Sequence, residues 1–183
     1  ERKPHFAWAF FLRGMNFQRL EKLTEAIRSY GEALRVHPRF AEACLVRGFL
    51  HGVQGNHDAA IADFDRAIDI DPRMALAYNN RGLAFQAKAN PGKALEDYAR
   101  AIDLEPNLAV AWKNRGDTLQ STGDLDGALR NYDRAIELDS KSSVAYFNRG
   151  VALVRKGNRT KAIDDFTRAL ALRENFPKAW MER

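Results

Sequence analysis

Glycine recurs at Gly14, Gly48, Gly82, Gly116 and Gly150, at a constant spacing of 34 residues. A glycine inside a helix costs about 1 kcal/mol relative to alanine, so five in register need a packing reason. Alanines and aromatics repeat in step with them, as Ala26–Tyr30–Ala33, Ala60–Phe64–Ala67, Ala94–Tyr98–Ala101, Ala128–Tyr132–Ala135 and Ala162–Phe166–Ala169. A period of this size marks stacked modules, none of which buries its apolar face alone. The modules run 7–40, 41–74, 75–108, 109–142 and 143–176, with the start of a sixth at 177–183.

Within a module, the first half carries apolar residues at three-to-four spacing, which predicts a helix; Tyr78, Gly82, Leu83 and Phe85 show it in the third copy. A break follows at Gly55, Gly123 and Gly157, just ahead of Asn56, Asp124 and Asn158, with Asn90 in the same place in the third copy. Asn and Asp there are expected to cap a second helix, and Pro91 suits a first helical position. The Ala–aromatic–Ala triplets lie on one face of that helix, and Pro38, Pro72 and Pro106 are expected to end it. Small residues on both helices let the backbones approach, and the aromatic fills the space beside them. A bulky residue at Gly82 or Ala94 is expected to force the pair apart.

An aromatic four residues before the glycine, then Ala-x3-aromatic-x2-Ala, then proline, resembles the tetratricopeptide repeat (TPR) family over essentially the whole chain. The first aromatic is Phe10, Tyr78, Trp112 and Tyr146, with Cys44 the exception. The resemblance implies an all-α, right-handed superhelical solenoid of antiparallel helix hairpins, forming a single domain over 1–183. Pro4 and Phe6 align with Pro38 and Phe40, so the reading is of a segment of a longer array. The leucine usual before the glycine is replaced by Arg13, Arg47, Arg81, Arg115 and Arg149. These are expected to be structural, with the stem packed and the head near Asp63, Asp97 or Asp165.

The resemblance also implies a concave wall built from the first helices, lined by module positions two, five, six and nine. Two zones follow. Trp8, Phe11, Leu12, Met15, Leu45, Val46 and Phe49 form an apolar one, suited to apolar side chains of a partner or to self-association. Asn79, Asn80, Asn114 and Asn148 form a polar one, since peptide-binding relatives use an asparagine ladder to pair with an extended backbone. Lys113, Asn148 and Lys178 match three positions of the family's two-carboxylate clamp, but Asp117 and Glu182 carry the wrong charge for the other two, so a true clamp is not expected.

The net charge of +5 is unevenly placed, with a basic excess in residues 1–40 and 143–176 and an acidic one in 41–74. A nucleic-acid binder shows a continuous basic stripe, so no nucleic-acid partner is expected. No apolar run is long enough to span a bilayer. The single cysteine, Cys44, takes a core position and is expected to be buried. There is no phosphate loop, metal-ligand spacing or nucleophile motif, so no metal, cofactor or catalytic residue is expected. The chain reads as a non-enzymatic scaffold for a protein or peptide partner. The alternatives are a subunit that self-associates through its ends and the recognition arm of a larger enzyme.

Overall fold

A computed structural model describes residues 4–172; the sixth repeat, with Lys178 and Glu182, lies outside them. Ten α-helices and no strands occur among the described residues. The chain divides into two compact units, Glu1–Asn90 and Pro91–Arg183. The first holds α1 (Pro4–Arg19), α2 (Leu23–Val36), α3 (Ala41–Val53), α4 (His57–Ile70) and α5 (Ala75–Ala87). The second holds α6 (Pro91–Leu104), α7 (Ala109–Thr122), α8 (Leu125–Leu138), α9 (Ser143–Arg155) and α10 (Arg159–Leu172).

In the first unit α1 pairs with α2 and α3 with α4, each second helix packing onto the next first helix; the second unit repeats this with α7–α8 and α9–α10. The recurring glycines explain the pairing. A Cβ built on Gly14 would lie 2.6 Å from the Tyr30 ring, one on Gly48 2.8 Å from Phe64, one on Gly116 2.7 Å from Tyr132 and one on Gly150 2.6 Å from Phe166. All four rings are buried. Each aromatic therefore lies against the bare backbone opposite, and the flanking alanines close the contact.

The turn inside each hairpin is left-handed at one repeat position. Gly55, Gly123 and Gly157 have φ of 80°, 94° and 81°, and Glu21 and Ala89 take the same turn at 57° and 54°. At four of these turns the next N–H donates back five residues: Lys22 to Phe17, Asn56 to His51, Asn90 to Phe85 and Asn158 to Leu153, at 2.8–2.9 Å. This bond closes the free carbonyls of the first helix. Capping of the second helix is uneven. Asp124 accepts from the Gly127 N–H at 2.8 Å and Asn158 from Lys161 at 3.3 Å, but Asn56 makes no side-chain cap. The second helices end at Val36, Ile70 and Leu104 ahead of the prolines, and α8 ends at the equivalent Leu138 without one. There Asp139 accepts from the Lys141 N–H at 3.1 Å, as Asp71 does from Arg73 at 3.0 Å. The same local turn thus forms with Pro72 inside it and with Ser140 in its place.

The arginine row is structural where its partners are visible. Arg47 forks onto Asp63 at 2.8 and 2.5 Å, and Arg149 onto Asp165 at 2.8 and 2.6 Å while also reaching Asp133 at 2.7 Å. Arg13 donates to the Ser29 hydroxyl at 3.0 Å and Arg81 to Asp65 at 2.6 Å. The carboxylates raise the Arg47 and Arg149 pKa above the ordinary guanidinium value, the hydrogen bonds from Asp63 and Asp165 being the main causes. Three of these heads also stack on the aromatic three residues earlier, Phe10, Tyr78 and Tyr146, at 4.9, 5.4 and 5.5 Å. Cys44 is buried as expected, and loss of hydration pushes its thiol up to about 11.

Candidate functional site

In the first unit the first helices leave an apolar column uncovered. Met15, Phe49 and Leu83 occupy one repeat position on α1, α3 and α5, and all three are exposed. Phe49 is 47% exposed, Leu83 40% and the neighbouring Val53 57%. Between α3 and α5 lies a pocket of about 220 Å³ walled by Phe49, Gly52, Val53, Leu83 and Ala84 and floored by the Phe64 ring of α4, with His57 and Asn80 as its polar lining. Gly52 and Ala84 leave the space, and Phe64 is held in place by Gly48. Asn79 is buried and donates its amide to Asn80 Oδ1 at 3.0 Å. That contact occupies the Asn80 oxygen and leaves its amide nitrogen for other acceptors.

Of the rest of the expected apolar zone, Phe11, Leu45 and Val46 pack inward, whereas Trp8 and Leu12 do not. Phe11 is only 8% exposed, stacked on Tyr30 and Phe40 at 5.4 and 4.9 Å. Leu45 is half-buried and packs against two core clusters, and Val46 packs against one. Trp8 is exposed, although its ring lies 4.9 Å from Phe40 and 5.5 Å from Phe11. Leu12 and Phe6 are likewise exposed on α1. Position five, buried at Phe11 and Asn79, turns toward the second helix behind, whereas position nine, exposed at Met15, Phe49 and Leu83, faces away from it.

In the second unit, α7 and α9 gather Lys113, Asp117 and Asn148. Lys113 Nζ lies 2.9 Å from Asp117 Oδ2, and Asn148 donates its amide to Asp117 Oδ1 at 2.7 Å. The buried Tyr132 hydroxyl stands 2.9 Å from the same Asp117 oxygen and 2.9 Å from Gln120 Oε1. Burial, and then the Asp117 charge, pushes the Tyr132 phenol far above its usual value, so it remains a proton donor. Asn114, expected as the middle rung of the ladder, is 1% exposed and lies inside the unit. The three asparagines therefore differ in setting: one lines an apolar pocket, one is enclosed and one is tied to a carboxylate. Sequence reading missed Val53, Leu83, Gln120, Tyr132 and Arg155. Continuing the position-nine column from Met15 and Phe49 by one period would have found Leu83.

Among the described residues no group of His, Cys, Asp or Glu side chains is placed to hold a metal ion, and no helix is long and apolar enough to cross a membrane. Tandem helical hairpins define a repeat protein of the interaction-scaffold class. Models of the tetratricopeptide repeat match residues 11–75, 75–108 and 143–176, and a further TPR repeat model matches 116–157. The chain is a member of the tetratricopeptide repeat family, with the all-α solenoid fold of that family.

Among solved structures it is similar to MamA, at 27% identity over 94% of each chain and a TM-score of 0.77. It is also similar to PilW, a widely conserved type IV pilus biogenesis factor, at 19% identity over 97% of this chain and 82% of that one, TM-score 0.88. YrrB, a TPR protein with an unusual peptide-binding site, aligns at 24% identity over 94% of this chain and 89% of its own, TM-score 0.72. No curated protein matches the chain. Proteins of this fold are generally non-catalytic interaction scaffolds.

Proposed function

We propose that the chain is a non-catalytic scaffold that holds an extended peptide or partner helix against its first helices. The apolar pocket between α3 and α5 takes one apolar side chain of that partner. The observation that carries this is the exposure of Phe49, Val53 and Leu83 around a ready-made space. Apolar cavities of roughly 150 Å³ take up benzene, so the pocket of about 220 Å³ is large enough for a leucine, methionine or phenylalanine side chain. The amide nitrogen of Asn80 beside it suits a backbone carbonyl of the same segment. YrrB, of the same fold, has a peptide-binding site, which supports the same use of the fold here.

The test is to pan a displayed-peptide library on the full chain and measure the selected peptides against Phe49→Ser/Leu83→Ser. Both side chains are exposed, so the fold should persist, as circular dichroism would verify. Selected peptides should carry an apolar anchor and lose about tenfold or more in affinity for the variant. Unchanged affinity would remove the pocket from the function. A second reading, self-association through the α1 end, is favoured by the exposed Phe6, Trp8 and Leu12.

A further inference from the structure

The apolar pocket has a counterpart two repeats later whose chemistry is reversed. Adding 68 residues to Phe49, Gly52, Val53, Phe64 and Asn80 gives Asp117, Gln120, Ser121, Tyr132 and Asn148. These five residues, with Arg155, line a pocket of about 220 Å³ in the second unit. The repeat thus supplies the same slot, at the same size, with polar walls in place of apolar ones.

The charges in this slot are not balanced. The Asp117 carboxylate is engaged by Lys113 on one oxygen and by Asn148 and Tyr132 on the other, so its charge is met within the protein. Arg155 has no such match. Its Nη1 donates to the Gln120 backbone carbonyl at 2.7 Å, which holds the head over the slot near the end of α7. No carboxylate pairs with it among the described residues. The lysine and arginine against one aspartate leave a net positive charge facing solvent, with further guanidinium N–H groups unused. Because an acceptor-only carboxylate fixes which end of the Asn148 amide faces it, Asn148 Oδ1 is turned away from Asp117 and can accept an N–H.

We infer that this slot is a second binding site, for the acidic side chain of a partner polypeptide. The carboxylate pairs with Arg155, and Asn148 Oδ1 accepts a backbone N–H of the same segment. Charge-assisted pairs to arginine are the stronger class of hydrogen bond, and an uncharged apolar side chain in the slot would leave the remaining Arg155 guanidinium N–H groups without an acceptor. The inference rests on the reading of the first helices as a partner surface, but its test does not use the apolar pocket.

The isotope-labelled full chain would be titrated with acetyl-Ala-Glu-Ala-amide and with its glutamine counterpart, following the Arg155 Nε–H and Asn148 side-chain amide signals. The glutamate peptide should shift both signals saturably, bind about fivefold or more tightly than the glutamine one, and weaken with added salt. Arg155→Gln, at an exposed position, should abolish the difference. Equal shifts from the two peptides, or a preference that survives Arg155→Gln, would overturn the site. So would identical shifts from sodium acetate at the same concentration, which would mark a bare anion contact. Failure here, with apolar peptides still lost from the Phe49→Ser/Leu83→Ser chain, removes this slot alone; the converse result removes the apolar pocket alone.

Discussion

Ala89 adopts a left-handed backbone, φ 54°, in a turn that three other repeats build with glycine. A side chain in this region is strained by about 1 kcal/mol or more, and the bond from the Asn90 N–H to Phe85 holds the residue there. Ala89→Gly should therefore raise stability by about 0.5–1 kcal/mol despite the added freedom of the unfolded chain, seen as a higher urea midpoint with unchanged slope. The glycines at three of these turns were plain in the sequence. That Ala89 and Glu21 share their geometry was not, because only the surrounding hydrogen bonds impose it. Arginine at the next landmark behaves in the same way. Its pairing with an acid sixteen residues on was legible at Arg47 and Arg149, whereas the residue sixteen on from Arg115 is Asn131, and Arg115 has no ion pair among the described residues. The Asn131 Oδ1 atom is buried without a partner.

Helix pairs are set by the contact between glycine and ring, and the consequence can be tested by one chemical change at two places. A methyl group on Gly116 meets the buried Tyr132 ring at 2.7 Å. Gly116→Ala should cost about 1–3 kcal/mol by overpacking. Gly52 lies in the same kind of helix, but its nearest neighbour is the Ala60 Cβ at 3.9 Å. Gly52→Ala should be neutral or stabilising, by up to about 1 kcal/mol, from the gain in helix propensity. Chemical denaturation of the two variants decides it; equal losses at both sites would mean that close approach is not why glycine recurs. The period exposed this contact because a steric requirement repeated in every hairpin leaves the same residue in every copy.

The exposed aromatic side chains among the described residues, Phe6, Trp8 and Phe49, all belong to the first unit, together with the exposed Leu12, Met15 and Leu83, whereas the second unit exposes aliphatic ones such as Val110, Val144 and Ile163. If the α1 surface joins copies of the chain, light scattering should show a mass that rises with concentration, and Trp8→Ser/Leu12→Ser should restore the monomer. A monomer mass at every concentration would exclude that reading and leave the α1 end free. The polar lining of the second unit makes the opposite demand on a partner.

Helix, turn, hairpin and repeat could all be read from the chain because each rests on local spacing: a three-to-four apolar rhythm, a glycine in a left-handed turn, a small residue opposite a ring. Periodicity multiplies such signals fivefold. What spacing could not settle was which side chains of a first helix reach solvent. Phe11 and Asn114 were expected on the binding face and are enclosed, while Leu83 and Arg155 were passed over and line pockets. Exposure depends on how far each helix rolls against the two behind it, and on whether a neighbour such as Asp117 or Asn79 claims one end of an amide. Those are contacts between residues distant in the chain, and only the packed hairpins decide them.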